Sequence, residues 1–83
     1  MISRIVFVEA LDSKRLFLRF KDGEEGIFNL EQSIQFTGVF EPLLDPSFFS
    51  QVYINPVSGT VEWPNGADLD PDVLHETVCG VKV

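Results

Sequence analysis

The chain has 83 residues and a formal net charge of -7 at pH 7, and hydrophobic residues, eight of them phenylalanine, make up 45% of it. This length suits one domain with one hydrophobic core, so we expect a single domain over residues 1–83. A negative net charge argues against direct contact with nucleic acid, and no apolar run approaches the roughly 18 residues that a membrane span requires.

The first thirty residues carry three strand patterns. Residues 2–10 hold β-branched and aromatic side chains at successive positions, which predicts a strand buried on both faces. Residues 15–20 alternate, so that Leu16 and its alternate neighbours share one face. Gly23 marks a tight turn, after which residues 25–30 form a third strand. These patterns predict a three-stranded antiparallel meander.

The middle of the chain lacks the alternating hydrophobic pattern of the first thirty residues. Residues 30–51 have no sustained period of two and are interrupted by glycine and proline, which predicts short helical turns. We expect Asn29 to cap the first turn together with Gln32, and Gly38 to end it. Asp45, directly before a proline, predicts the start of another helix.

The last third predicts a second hairpin and then a helix. Strand-like segments at 52–55 and 60–63 flank a turn rich in asparagine, proline and glycine. Asn65 and the glycine after it reverse the chain, and Asp70 before a proline caps a helix that Gly80 ends. The predicted fold class is therefore α+β, with a small antiparallel meander, a second hairpin, short helical turns and a C-terminal helix.

The stretch WPNGADLDPD, residues 63–72, supplies the candidate interaction residues. They are Trp63, Asn65, Asp68, Asp70 and Asp72. Because Trp63 ends a strand beside a proline and has a large apolar area, we also expect it to be anchored in the core. The three aspartates match the first positions of a calcium loop, but Val73 and Cys79 stand where that loop needs glycine and glutamate. We assign no metal and no cofactor.

The sequence offers little for catalysis. His75 and Cys79 lie four residues apart, so their side chains could meet on a helix, as a nucleophile and its base must. The neighbouring charges are negative and would not favour a thiolate, which makes a structural cysteine the better interpretation. We assign no catalytic residue and predict that the protein is not an enzyme. A single cysteine suits a reducing compartment, and we expect a cytoplasmic protein.

Charge is distributed unevenly along the chain. Five of the six basic residues lie within the first 21 positions, whereas eleven acidic residues lie between Asp22 and Glu76. An acidic region of this kind would attract a basic protein partner. Acidic surface is also ordinary solubility chemistry in many domains, so both interpretations stay open.

Three segments of the chain resemble the small bacterial proteins of the DUF2442 family. They are LFLRFKDGEEGIFNL, GVFEPLLDPSFFSQV and GTVEWPNGADLDPDVL. The resemblance implies an α+β domain of this strand order and no established catalytic or ligand-binding residues. Some relatives look like a module joined to a helix-turn-helix DNA-binding domain, and others are encoded beside a second small protein, similar to toxin and antitoxin pairs. His75 departs from the family, in which tyrosine is frequent at this position.

These observations predict a non-enzymatic protein-interaction or regulatory module that engages a basic protein partner. The resemblance implies that an adjacent gene encodes this partner and that the module is similar to an antitoxin. The alternative is a small-molecule sensor that binds its ligand in an aromatic pocket near Trp63 and acts through a separate DNA-binding subunit. A homo-oligomer is compatible with either prediction.

Overall fold

The structure, a computed structural model, describes residues 4–79. Its first third is a three-stranded antiparallel sheet in the order β1 (Ile5–Leu11), β2 (Arg15–Phe20) and β3 (Glu25–Asn29). Gly23 adopts a φ of 95° in the turn between β2 and β3, a left-handed conformation that glycine adopts without strain. The predicted meander is therefore confirmed.

The prediction that β1 is buried on both faces is wrong. The register of β1 against β2 shifts between Ile5 and Phe7, where a β-bulge places an additional residue in β1. Ile5 stays in the core, but Phe7 pairs with Arg19 on the other face of the sheet and is 42% exposed. The bulge thus turns one aromatic side chain of β1 from the core towards the surface.

Three short helical segments follow the sheet, as predicted. They are α1 (Leu30–Ser33), a 3₁₀ helix (Gly38–Leu44) and α2 (Pro46–Phe49). Asp45 caps α2, because its Oδ1 accepts the backbone N–H of Ser47 at 2.9 Å. This side-chain cap is the one that the aspartate and proline pair predicts.

The predicted roles of Asn29 and Gly38 are wrong. Asn29 occupies the position before α1, but its side chain makes no capping hydrogen bond, and its buried Oδ1 has no partner within residues 4–79. Gly38 does not end α1, which stops at Ser33, but begins the 3₁₀ helix with a φ of 58°. Glycine is used here for its backbone conformation and not as a stop signal.

A second hairpin and a helix complete the fold. The hairpin pairs β4 (Tyr53–Ile54) with β5 (Val61–Glu62), and α3 (Pro71–Cys79) follows. The position at which α3 was expected to stop, Gly80, lies outside the described residues. The architecture is α+β, as predicted.

One core joins the sheet to the second half of the chain. The inner face of the sheet buries Leu16, Leu18 and Phe20, all at most 1% exposed. Side chains from the helices and the second hairpin complete the cluster, among them Leu43, Phe49, Val61, Trp63 and Leu74. Because each large ring removes much apolar area from water, this cluster can stabilise a chain of this small size. No helix within residues 4–79 is long and apolar enough to cross a membrane.

Candidate functional site

The stretch from Trp63 to Asp72 begins with a tight turn. Trp63 accepts the backbone N–H of Gly66 at 2.9 Å and donates its own N–H to the carbonyl of Ala67 at 2.8 Å. Gly66 has a φ of 92°, which explains why glycine follows asparagine at this point. The chain thus reverses directly after β5, as the sequence predicts.

The side chain of Trp63 lies at the centre of the core. It is 0% exposed, stacks on Phe49 with ring centroids 6.0 Å apart, and donates its indole N–H to the Phe49 carbonyl at 2.9 Å. The expectation that Trp63 is anchored in the core is confirmed. Its selection as an interaction residue needs correction, because a completely buried indole cannot contact a partner. The alternative of an aromatic ligand pocket near Trp63 stays a prediction.

Asn65, the second candidate, is occupied by structural contacts. Its Oδ1 accepts the N–H of Ala67 at 3.1 Å, and its Nδ2 donates to the carbonyl of Val39 at 2.9 Å. The first bond closes the turn, and the second ties that turn to the 3₁₀ helix 26 residues earlier in the chain. Both ends of the amide therefore hold the fold, although the residue is exposed.

The three aspartates lie together around an open cavity of about 420 Å³. The cavity is lined by Ser58, Thr60, Asp68, Leu69, Asp70, Pro71 and Asp72, and we call it the acidic cavity. Two contacts hold its walls together. The Thr60 hydroxyl donates to the Leu69 carbonyl, and Asp68 forms an antiparallel bridge with Glu62 of β5. The backbone that carries the three aspartates is thereby held beside the second hairpin.

Asp70 has a structural role within the acidic cavity. Its Oδ1 accepts the backbone N–H of Asp72 at 2.9 Å, and its carbonyl accepts the N–H of Leu74 at the start of α3. We expect Asp70→Ala to lower the free energy of unfolding by about 0.5 to 2 kcal/mol, because a donor at the helix start loses its acceptor. Asp70→Asn should cost far less, because the amide oxygen still accepts. Urea unfolding followed by circular dichroism measures both, and equal losses would contradict the capping role.

The model of the family described as protein of unknown function (DUF2442) matches residues 5–78, nearly the whole chain. The chain belongs to the DUF2442 family. No curated protein and no solved structure matches it. Family membership therefore assigns no role to any individual residue of the DUF2442 domain.

His75 joins α3 to the turn between β2 and β3. Its Nε2 lies 2.8 Å from Oδ2 of Asp22, and its ring meets Phe20 edge to face with centroids 4.7 Å apart. The backbone N–H of Glu24 lowers the pKa of Asp22 below its ordinary value of 3.8, and the hydrogen bond with His75 lowers this pKa further. This contact gives His75 a structural role; the Cys79 side chain lies outside the described part of the chain.

Two further observations concern the charges of the DUF2442 domain. Arg4 reaches from the start of the sheet to the second hairpin, where its Nη2 donates to the Pro56 carbonyl at 2.8 Å, and Arg19 pairs with Glu25 at 2.9 Å. One acidic residue of the later chain, Glu25, is therefore paired with a basic residue of the first quarter. Within residues 4–79, no group of three or more His, Cys, Asp or Glu side chains is arranged to hold a metal ion.

Proposed function

We propose that this DUF2442 domain is a non-enzymatic interaction module whose acidic cavity binds a basic side chain of a protein partner. The observation that carries the proposal is the convergence of Asp68, Asp70 and Asp72 on one open cavity of about 420 Å³. Carboxylates at such a site are the ordinary acceptors for the guanidinium or ammonium group of another protein.

The charges around the cavity support this choice of partner. The sequence from Asp22 to Cys79 contains no lysine and no arginine, and Arg4, which reaches the second hairpin, donates its Nη2 to the carbonyl of Pro56. Asp70 directs one carboxylate oxygen to its own helix start, which leaves its other oxygen for a ligand. Asp68 is exposed and can meet an incoming cation without losing much hydration.

An interaction of this kind should depend strongly on salt. Complementary charges mainly accelerate and orient association, and their effect weakens as the ionic strength rises. The first partner to test is a basic protein encoded by an adjacent gene, because the resemblance described above implies such pairs. If that partner is a toxin, the domain has an antitoxin-like role. If that partner binds DNA, the domain has a regulatory role.

The proposal is tested by affinity capture of partners with the tagged full chain from native lysate, followed by mass spectrometry. We expect a basic protein to be recovered at low salt and lost at higher salt. The variant Asp68→Asn with Asp72→Asn should recover at least about tenfold less of it, because two carboxylates of the cavity are removed while the Asp70 cap remains.

A matched control distinguishes the effect of the acidic cavity on partner recovery from the effect of net charge. Glu31→Gln with Glu41→Gln removes the same number of charges from exposed positions in α1 and the 3₁₀ helix, outside the acidic cavity. This variant should recover the partner as well as the wild-type chain does. Equal losses for the two double variants would mean that only net charge matters, and recovery of no basic protein would contradict the proposal.

A further inference from the structure

The face of the β1–β2–β3 sheet that points away from the core carries an ordered set of exposed side chains. The register places Phe7, Arg19 and Glu25 in one row across the three strands. Glu9, Phe17 and Ile27 form the neighbouring row. We call these six residues the outer face, and none of them lines the acidic cavity.

The outer face has an apolar centre that is already organised. Phe7 and Phe17 meet edge to face with ring centroids 6.0 Å apart, and the Arg19 guanidinium lies over both rings, at 5.6 and 5.9 Å from their centroids. Ile27 continues this surface and is 50% exposed. Since these side chains hold one another in place, a partner that covers them would lose little side-chain entropy on binding.

Two charged side chains of the outer face, Arg19 and Glu9, have hydrogen-bonding groups without a partner within residues 4–79. Arg19 donates through Nε to Glu25 at 2.9 Å, but its other guanidinium N–H groups make no hydrogen bond within residues 4–79. The Glu9 carboxylate has no ion pair or hydrogen bond within that part of the chain. The outer face thus presents a donor group, Arg19, two residues along β2 from Phe17, and an acceptor group, Glu9, opposite Phe17 on β1.

We propose that the outer face is the contact surface for a second copy of this chain. In a two-fold symmetric contact the same patch meets itself, so the patch must be complementary to itself in charge. Arg19 of each copy can bond Glu9 of the other, while the apolar centres cover each other. A basic partner fits this face less well because Arg19 stands on it, and a nucleic acid fits less well because of Glu9 and Glu25.

The size of the face sets the strength of this contact. Three strands spaced about 4.8 Å apart, with about six residues each rising roughly 3.3 Å, cover about 14 Å by 20 Å. This is well below the roughly 800 Å² per partner of a standard stable interface, so the dimer is transient. A dissociation constant on the order of 100 μM is expected, with a net charge of -7 on each copy opposing association at low salt.

Sedimentation velocity of the full chain between about 5 and 500 μM at about 0.15 M salt tests this proposal. The average mass should rise from monomer towards dimer over that range. Glu9→Arg or Arg19→Glu should each weaken self-association by about tenfold or more, because the two copies then present like charges to each other. Mixing the two variants should restore a dimer, because one copy of each again forms two opposite-charge pairs.

Two controls show whether a change in self-association comes from the outer face. Glu41→Arg makes the same charge change as Glu9→Arg at an exposed position of the 3₁₀ helix and should leave self-association at least as strong. Circular dichroism of each variant verifies that the monomer is folded. A wild-type chain that stays monomeric up to 500 μM would overturn the proposal, as would two folded single variants whose mixture associates no better than either alone.

Discussion

Replacing Trp63 by alanine should lower the free energy of unfolding by about 3 to 5 kcal/mol. The indole is 0% exposed, stacks on Phe49 and donates to the Phe49 carbonyl, so alanine leaves a cavity and removes the shorter of the two hydrogen bonds to that carbonyl, the other being the one from the Val52 N–H at 3.4 Å. For a domain of this length, total stability is on the order of 5 to 10 kcal/mol, so the variant should lose about a third or more of it. Circular dichroism in urea is the appropriate measurement, because the variant lacks the single tryptophan.

The matched variant Trp63→Phe separates packing from hydrogen bonding. Phenylalanine can keep most of the stacking on Phe49 but supplies no donor, so its cost should fall clearly below that of alanine, at about 1 to 3 kcal/mol. If Trp63→Ala unfolds at nearly the same urea concentration as the wild-type chain, the tryptophan does not anchor the core and the packing described here is wrong.

The second large effect is expected at Gly26, where β3 meets α3. A Cβ atom at this position would lie 2.5 Å from Cγ1 of Val78 and 3.4 Å from the Val78 carbonyl oxygen. Since valine is stiff about χ1, it cannot simply rotate away, and α3 would have to shift. Gly26→Ala should therefore lower the free energy of unfolding by about 1 to 3 kcal/mol.

A double-mutant cycle identifies the contact responsible. Val78→Ala removes the clashing methyl group, so Gly26→Ala should cost less in that background by about 0.5 kcal/mol or more. Gly23→Ala is the control, because its cost comes from a φ of 95° and no atom lies within 4 Å of the added Cβ. That cost should be the same with valine or alanine at position 78. Additive effects for Gly26→Ala would mean that α3 does not pack on β3 as described.

Local chemistry predicted much of this fold. Strict alternation in β2 placed Leu16, Leu18 and Phe20 correctly, because a period of two fixes the faces of a strand. Aspartate before proline identified the starts of α2 and α3, where the side-chain oxygen and the missing proline N–H both favour a helix start. These features depend on neighbours only a few residues apart, which a sequence displays directly.

The features that were missed depend on distant contacts. The bulge between Ile5 and Phe7 is set by pairing with β2, and nothing in a run of apolar residues shows which of them leaves the core. Asn29 has the residue type of a cap but lies where the chain leaves β3, and its side chain does not reach the helix start. The contact between His75 and Asp22 spans 53 residues.

The candidate site was predicted only in part. The residue types from 63 to 72 identified the stretch that borders the acidic cavity. They did not show which of its side chains are buried and which are exposed. Trp63 turns into the core, Asn65 ties the turn to the 3₁₀ helix, and the aspartates border the acidic cavity. The Thr60 and Leu69 contact that shapes the cavity joins two segments with no shared pattern, so the cavity itself could not be foreseen.

The most direct test of binding at the acidic cavity is a titration of the isotope-labelled full chain with the purified basic protein that it captures. The titration is monitored through the amide chemical shifts of the labelled chain. We predict that the largest shifts occur at residues 58–60, 68–70 and 72, around the acidic cavity, and that they shrink as salt is added. Shifts confined to the outer face, or shifts at the cavity that persist in Asp68→Asn with Asp72→Asn, would contradict the assignment of the acidic cavity as the binding site.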